Sequence, residues 1–253
     1  MAVATPFDLT GRTALITGGA RGLGRGMTEG LLDAGADVIS VQRGSVPDSV
    51  EQHAVAAGRR LTSLRVDLSN RQQIADRVAP LLAEQQVDIL INNAGLQHRE
   101  DSVDFALDAF DRVLDVNLRA AFQLSQLVAR PMLERGYGKI INIASMVSFS
   151  GGYRVPAYAA SKGAIAQLTK ALCNEWAGRG INVNAIAPGY MDTEMNEALI
   201  ADQQRNSEIT ARIPAGRWGT GGDLAGAAVF LASAASDYVH GAIIPVDGGW
   251  LAR

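Results

Sequence analysis

Thr13-Ala14-Leu15-Ile16-Thr17-Gly18-Gly19-Ala20-Arg21-Gly22-Leu23-Gly24 decides how the rest of the chain is read. A short apolar run ends at Thr17, a glycine-rich turn follows, and a helix-like stretch begins near residue 23. Gly18, Gly22 and Gly24 give the spacing Gly-x-x-x-Gly-x-Gly. Glycine permits a tight turn and lets an anion approach the backbone closely. The helix that follows would aim free N–H groups and a positive dipole end at that anion. An ordinary strand-to-helix turn is the plainer alternative. In a strand–turn–helix context, the spacing points to the pyrophosphate of a dinucleotide.

Working outward, short apolar runs alternate with amphipathic stretches. Strand-like runs are Thr13–Thr17, Val38–Val41, Ser63–Val66, Asp88–Ile91, Lys139–Ile143, Asn182–Ala187 and Ala242–Val246. Helix-like stretches fall near 23–34, 48–57, 70–85, 106–135, 156–178 and 222–233. This alternation predicts an α/β fold, a single Rossmann-type doubly wound parallel sheet of about seven strands with helices on both faces. No linker, repeat or low-complexity segment divides the chain, so one domain is expected over 1–253. The stretch from Pro188 to Pro214 fits the pattern least. A helix around Thr193 to Asn206 is plausible there, and a long insertion after a strand is often a lid.

Composition narrows the function classes. The chain has 253 residues, 47% hydrophobic and 19% charged, enough for a sizeable core. A net charge of −3 without a basic run argues against nucleic acid. No apolar stretch approaches the roughly 20 residues of a membrane span. Met1 to Thr10 has neither a basic nor an apolar leader region, so no signal peptide is expected. The lone Cys173 excludes an intrachain disulfide and favours a reducing cytoplasm; it reads as a packed helix residue. His53, His98 and His240 are scattered, and no spacing suggests a metal site.

Chemistry concentrates at Tyr158 and Lys162, four apart and so on one helix face, with Ser145 thirteen residues upstream. A phenol of pKa about 10 is a poor acid or base at neutral pH. A nearby ammonium favours the phenolate and should lower that value. Asn92-Asn93-Ala94-Gly95 follows the fourth strand run, Ser145 follows the fifth, and Pro188-Gly189 follows the sixth. Ligands of open parallel sheets bind at the carboxyl ends of strands. Four separate motifs are therefore expected on one rim.

Together, Thr17–Gly24, Asn92–Gly95, Asn117, Ser145, Tyr158/Lys162 and Pro188-Gly189 resemble the short-chain dehydrogenase/reductase family over essentially the whole chain. That resemblance implies a nicotinamide dinucleotide and a homotetramer. It makes Tyr158 the general acid/base, and Lys162 the residue that lowers its pKa and holds the nicotinamide ribose. Ser145 would bind the substrate carbonyl, and Asn117 would hold a water in a proton relay. Asp67 would face the adenine and Thr193 the carboxamide, with Leu23, Leu68, Asn93, Ala94, Gly95 and Met191 also at the cofactor.

The end of the second strand bears Gln42-Arg43, with no carboxylate to repel a 2′-phosphate. Arg43, with Arg21 as a second cation, favours NADP(H), leaving NAD(H) possible through Gln42. Further stretches, 95–101, 145–158, 212–219 and 246–253, resemble the 2-dehydro-3-deoxy-D-gluconate 5-dehydrogenase group of the family, which interconverts hydroxy and keto forms of deoxy sugar acids in uronate breakdown. A sugar acid needs a cation for its carboxylate. Arg154 is the expected partner, with His98 and Arg99 behind it. A gluconate 5-dehydrogenase-like or other polyol reductase is the nearest alternative. A non-enzymatic dinucleotide-binding module is the more distant one.

Overall fold

Strands covered on both faces are rich in apolar residues, and any polar side chain they carry must find a partner inside. Four of the strands are of this kind: β1 (Thr13–Thr17), β4 (Ile89–Asn92), β5 (Gly138–Ile143) and β6 (Ile181–Pro188). β2 (Asp37–Gln42) lies beside β1. β3 (Leu61–Arg65) and β7 (Ile243–Val246) form the edges. In this computed structural model, which describes residues 5–253, the seven strands are all parallel in the order β3-β2-β1-β4-β5-β6-β7. Residues 1–4, the first part of the stretch read for a leader, lie outside the described residues. The expected α/β sheet is present, with strand ends shifted by one or two residues. The edge strand β3 carries exposed Thr62, Ser63 and Arg65, which suits an edge that must not recruit another strand.

The helices are α1 (Gly22–Asp33), α2 (Asp48–Ala56), α3 (Arg71–Glu84), α4 (Leu107–Leu114), α5 (Ala120–Arg135), α6 (Pro156–Trp176), α7 (Glu197–Ala201), α8 (Gln203–Arg212) and α9 (Gly221–Ala232). They cover both sheet faces with two large apolar clusters. One holds Ile16, Met27, Leu31 and Leu231; the other holds Leu15, Val78, Leu124, Ile140 and Val183. α1 and α9 cross at backbone contact, where a Cβ on Gly26 would overlap Gly221. Cys173 is buried in the second cluster, as a packed helix residue should be.

Two segments differ from the sequence expectation. The helix expected over 106–135 is interrupted by a π-helical turn, Asp115–Arg119, between α4 and α5. The single helix expected around Thr193 to Asn206 is a 3₁₀ turn, Glu194–Asn196, followed by α7 and α8. Asp202 separates these two helices, its side chain accepting from the Arg205 N–H as an N-cap at 3.1 Å. Residue-level periodicity does not register either break. The first inserts one residue per turn, and the second rests on a single cap.

β1 and β4 are neighbours although β2 and β3 intervene in sequence. Their carboxyl ends therefore diverge into helices on opposite faces and open a crevice, the topological switch point.

Candidate active site

A cleft of about 630 Å³ opens at that switch point. It is lined by Gly18, Arg21, Gly22, Leu23 and Gly24 from the glycine loop, and by Gln42 and Arg43 after β2. Asp67 and Leu68 follow β3; Asn93, Ala94 and Gly95 follow β4. Ser145, Tyr158 and Lys162 form the inner end, and Pro188, Gly189, Met191 and Thr193 follow β6. The topology thus brings together motifs from six parts of the chain.

The glycine loop is held from across the crevice. Asn93 Nδ2 donates to Thr17 O at 2.8 Å and Gly18 O at 3.2 Å. Thr17 Oγ1 accepts from the N–H groups of Asn93 and Ala94 at 3.0 and 2.9 Å. Gly18 and Gly22 adopt φ of +67° and +50°, left-handed values that side chains disfavour. A Cβ on Gly24 would overlap Gly18 O, so the turn closes only around glycine.

At the inner end, Lys162 is buried and donates from Nζ to Ile143 O at 2.6 Å. Its Nζ lies 5.7 Å from the centroid of the Tyr158 ring. Burial pulls the Lys162 pKa down to about 8. Tyr158 behaves contrary to the sequence expectation. Desolvation of its hydroxyl raises its pKa, and the hydrogen bond with Ser145 only partly opposes this. Burial disfavours both charged forms, and a lysine tied to a backbone carbonyl does not reverse this for the phenol. Tyr158 is therefore a neutral proton donor at neutral pH.

Asn117 does not line the cleft but builds its wall from behind. The π-helical turn directs it inward, where it is buried. Its Oδ1 accepts from Leu96 N–H at 2.8 Å; its Nδ2 donates to Leu96 O at 2.9 Å and Ser161 Oγ at 3.1 Å. Asn117 thus ties the segment after Gly95 to the helix that carries Tyr158 and Lys162.

The outer end suits a phosphorylated ribose. Ser40 Oγ donates to Gln42 Oε1 at 2.7 Å, which fixes the amide and leaves Nε2 buried without a partner. An orphaned buried donor is costly until something accepts from it. Arg43 lines the same end and is in no ion pair among the described residues. The Ser69 N–H and hydroxyl bond Asp67 Oδ1 and, with weaker help from Arg43 and Arg112, hold the Asp67 carboxyl below its usual pKa. These residues fit a nicotinamide dinucleotide, its pyrophosphate on the glycine loop and its adenosine end at Gln42, Arg43 and Asp67.

Four residues expected at the substrate or the 2′-phosphate have partners of their own. Arg154 does not line the cleft: its Nε is paired with Asp101 at 2.8 Å, and its backbone is left-handed at φ 61°. His98 is paired with Glu100 at 3.2 Å and packed edge-on against Phe105, and Arg99 donates to Tyr153 O at 3.3 Å. Arg154 and Arg99 thus join residues 99–101 to the loop before α6, whereas His98 is held within its own segment. Arg21, expected beside a 2′-phosphate, is paired with Glu194 at 2.9 Å. The cleft also takes Ser45, Arg112, Val116, Glu194 and Asn196, which the sequence did not single out. Ser45 was within reach, two residues after Arg43. Arg112 and Val116 enter only through the packing of α4 and the π-helical turn.

Trp250 and Trp218 both pack against Tyr190. Trp250 is buried with its ring 4.7 Å from Tyr190, and Trp218 is 5.3 Å from Tyr190. Among the described residues, no helix is long and apolar enough to cross a membrane. Nor, among the described residues, do three of His, Cys, Asp and Glu gather as metal ligands.

Comparison with known proteins agrees with this geometry. The model described as enoyl-(acyl carrier protein) reductase matches residues 18–251. The chain is 52% identical over 247 residues to a 2-dehydro-3-deoxy-D-gluconate 5-dehydrogenase of Bacillus subtilis, covering 98% of this chain and 97% of that protein. It is 53% identical over 249 residues to the enzyme of the same name from Dickeya dadantii, covering 98% of each. A solved gluconate 5-dehydrogenase from Burkholderia cenocepacia, in complex with NADP and tartrate, superposes with a TM-score of 0.92 at 40% identity, covering 99% of each chain. With its glycine loop, its Ser145, Tyr158 and Lys162 cleft and a match running nearly end to end, the chain belongs to the short-chain dehydrogenase/reductase family.

Proposed function

We propose that residues 1–253 form one NADP(H)-preferring oxidoreductase domain. It interconverts a hydroxyl and a ketone on a deoxy sugar acid of the 2-dehydro-3-deoxy-D-gluconate type. The observation that carries this reading is the cleft itself. Its inner end holds Ser145, Tyr158 and Lys162, and its outer end holds a free Arg43 and an orphaned Gln42 amide. Identities of 52% and 53% to dehydrogenases of that name support the substrate class.

The nicotinamide, when bound, supplies the hydride. Everything else falls to the chain. Tyr158, kept protonated by burial, donates its proton to the carbonyl oxygen as a ketone is reduced. The Ser145 hydroxyl donates to the same oxygen, and the two stabilise the developing alkoxide. Lys162 stays cationic at neutral pH, steadies the phenolate that Tyr158 becomes, and holds the nicotinamide ribose. Asn117 keeps the wall beside Lys162 in register and holds a relay water. Thr193 binds the carboxamide. The single cysteine is in keeping with a cytoplasmic site of action, and the likeness to 2-dehydro-3-deoxy-D-gluconate 5-dehydrogenases supports a role in uronate catabolism. The small residues at the start of α6, among them Ala159, Ala160 and Gly163, support a homotetramer packed through that helix.

The test is a panel assay that follows nicotinamide absorbance with NADPH and with NADH. Its substrates are deoxy keto-acids, 5-ketogluconate and uncharged ketones. Turnover favouring NADPH and the deoxy keto-acids is expected. Turnover confined to 5-ketogluconate would move the chain to the gluconate 5-dehydrogenase type. Binding without turnover on any carbonyl would overturn the catalytic reading.

A further inference from the structure

We infer that Arg21 and Glu194 form a latch that closes the lid tip over the dinucleotide cleft and slows coenzyme release, with or without a 2′-phosphate. This rests on the reading of the cleft as a dinucleotide site. Arg21 stands on the glycine loop and Glu194 on the opposite wall, 173 residues away in sequence. Both line the cleft, and Arg21 Nη1 meets Glu194 Oε2 at 2.9 Å across its mouth.

The lid is held very differently at its stem and its tip. The stem is pinned by backbone. Met191 pairs with Gly219 in a parallel bridge, Asp192 N–H donates to Gly219 O at 2.7 Å, and Gly219 N–H donates to Tyr190 O at 3.0 Å. The tip, residues 193–201, buries no side chain in either its 3₁₀ turn or α7. Its other polar contacts are with the lid's own residues: Asn196 Nδ2 donates to Met191 O, and Asn206 Nδ2 donates to Ile200 O. Among the described residues, Arg21–Glu194 is the one polar link from the tip to the far wall. Beside it, Thr193 approaches Gly22 so closely that a Cβ on Gly22 would lie 3.5 Å from the threonine methyl. The tip's apolar hold is thin, with Leu199 half-buried against the cluster of Met146, Ile209, Ile213 and Trp250; a segment held by so few apolar contacts opens at low cost, so the ion pair shifts its closed fraction.

The placement also separates the two arginines. Arg43 remains beside Gln42 for a 2′-phosphate, whereas Arg21 is spent on the lid. A latch of this kind acts on any dinucleotide lying beneath it and leaves the choice between phosphorylated and unphosphorylated forms to Arg43.

The test uses the full chain and stopped-flow release of NADPH and of NADH, read by nicotinamide fluorescence. Glu194→Gln should speed release of both coenzymes about two- to fivefold, the range for an exposed ion pair. The charge-swapped double variant, Arg21→Glu with Glu194→Arg, should recover most of the wild-type rate. Added salt should speed release from the wild type more than from Glu194→Gln, the difference being the latch's share. Unchanged release from Glu194→Gln overturns the latch. So does slower release of NADPH alone, which would mean that Glu194 competes with the 2′-phosphate for Arg21. If the wild type binds neither coenzyme, the dinucleotide reading fails first and takes the latch with it.

Discussion

Replacing Asn117 by alanine removes three hydrogen bonds at one stroke. Leu96 N–H loses its acceptor, Leu96 O loses its donor, and Ser161 Oγ loses the amide. Ser161 keeps its bond to Tyr158 O at 2.7 Å, so its hydroxyl is not orphaned. The two Leu96 groups are, in a part-buried site that water only partly reaches. At the low end of about 1–3 kcal/mol per orphaned group, the loss is about 2–3 kcal/mol of stability. The same change frees the Gly95–Leu96 segment, which lines the wall next to Lys162, so kcat should fall at least about tenfold, or 1.4 kcal/mol. Urea unfolding followed by fluorescence measures the first quantity, and steady-state turnover of the folded variant measures the second. Asn117→Asp should be worse than alanine at neutral pH, because it aims a buried carboxylate at the Leu96 carbonyl. It should improve as the pH falls and the acid regains a proton to donate. A variant Asn117→Ala that loses under about 1 kcal/mol and turns over like wild type would refute the idea that this side chain holds the wall.

Three further outcomes are expected. The folded Lys162 pKa of about 8 lies below its usual 10.5, so the cation persists below about 8 and is lost above it. Ketone reduction should therefore be flat near neutrality and fall as pH rises through about 8; Lys162→Arg, which stays charged, should move the fall upward, and a profile without that limb would contradict the assignment. The same sign makes folding less favourable below about 8, with stability recovering between about 8 and 10.5. Gly24→Ala should weaken NADPH binding more than about tenfold in a fluorescence titration, since the new methyl overlaps Gly18 O; wild-type affinity would show that the loop adapts. At the amino end of the sheet, buried Lys139 donates to Asp237 at 2.7 Å. Asp237→Asn should cost about 2 kcal/mol in urea unfolding while leaving turnover per folded molecule unchanged.

The local pattern carried most of the fold. Fully apolar runs such as Ala14–Ile16 and Ile89–Ile91, separated by amphipathic helices, admit little besides a parallel sheet covered on both sides. The reactive constellation was legible for a related reason. Each of its residues sits just past a strand's carboxyl end or four apart on one helix, and the sheet then delivers those positions to one rim. What the sequence did not settle were the partners of long charged side chains. Arg154 was near Tyr158 in sequence, yet it pairs with Asp101 from another loop. Arg21 was near the glycine loop's ligand, yet it reaches Glu194 on the lid. The Tyr158 pKa was misjudged from sequence because a neighbouring charge is visible there and desolvation is not. The π-helical turn that sends Asn117 inward also left no periodic trace. By itself the sequence determined the sheet, the glycine turn and the Ser145–Tyr158–Lys162 set, because backbone periodicity and turn chemistry are local. Only the tertiary structure decided which cations stay free, which protons are held and where the lid closes, because burial and ion pairing depend on residues that meet across the cleft.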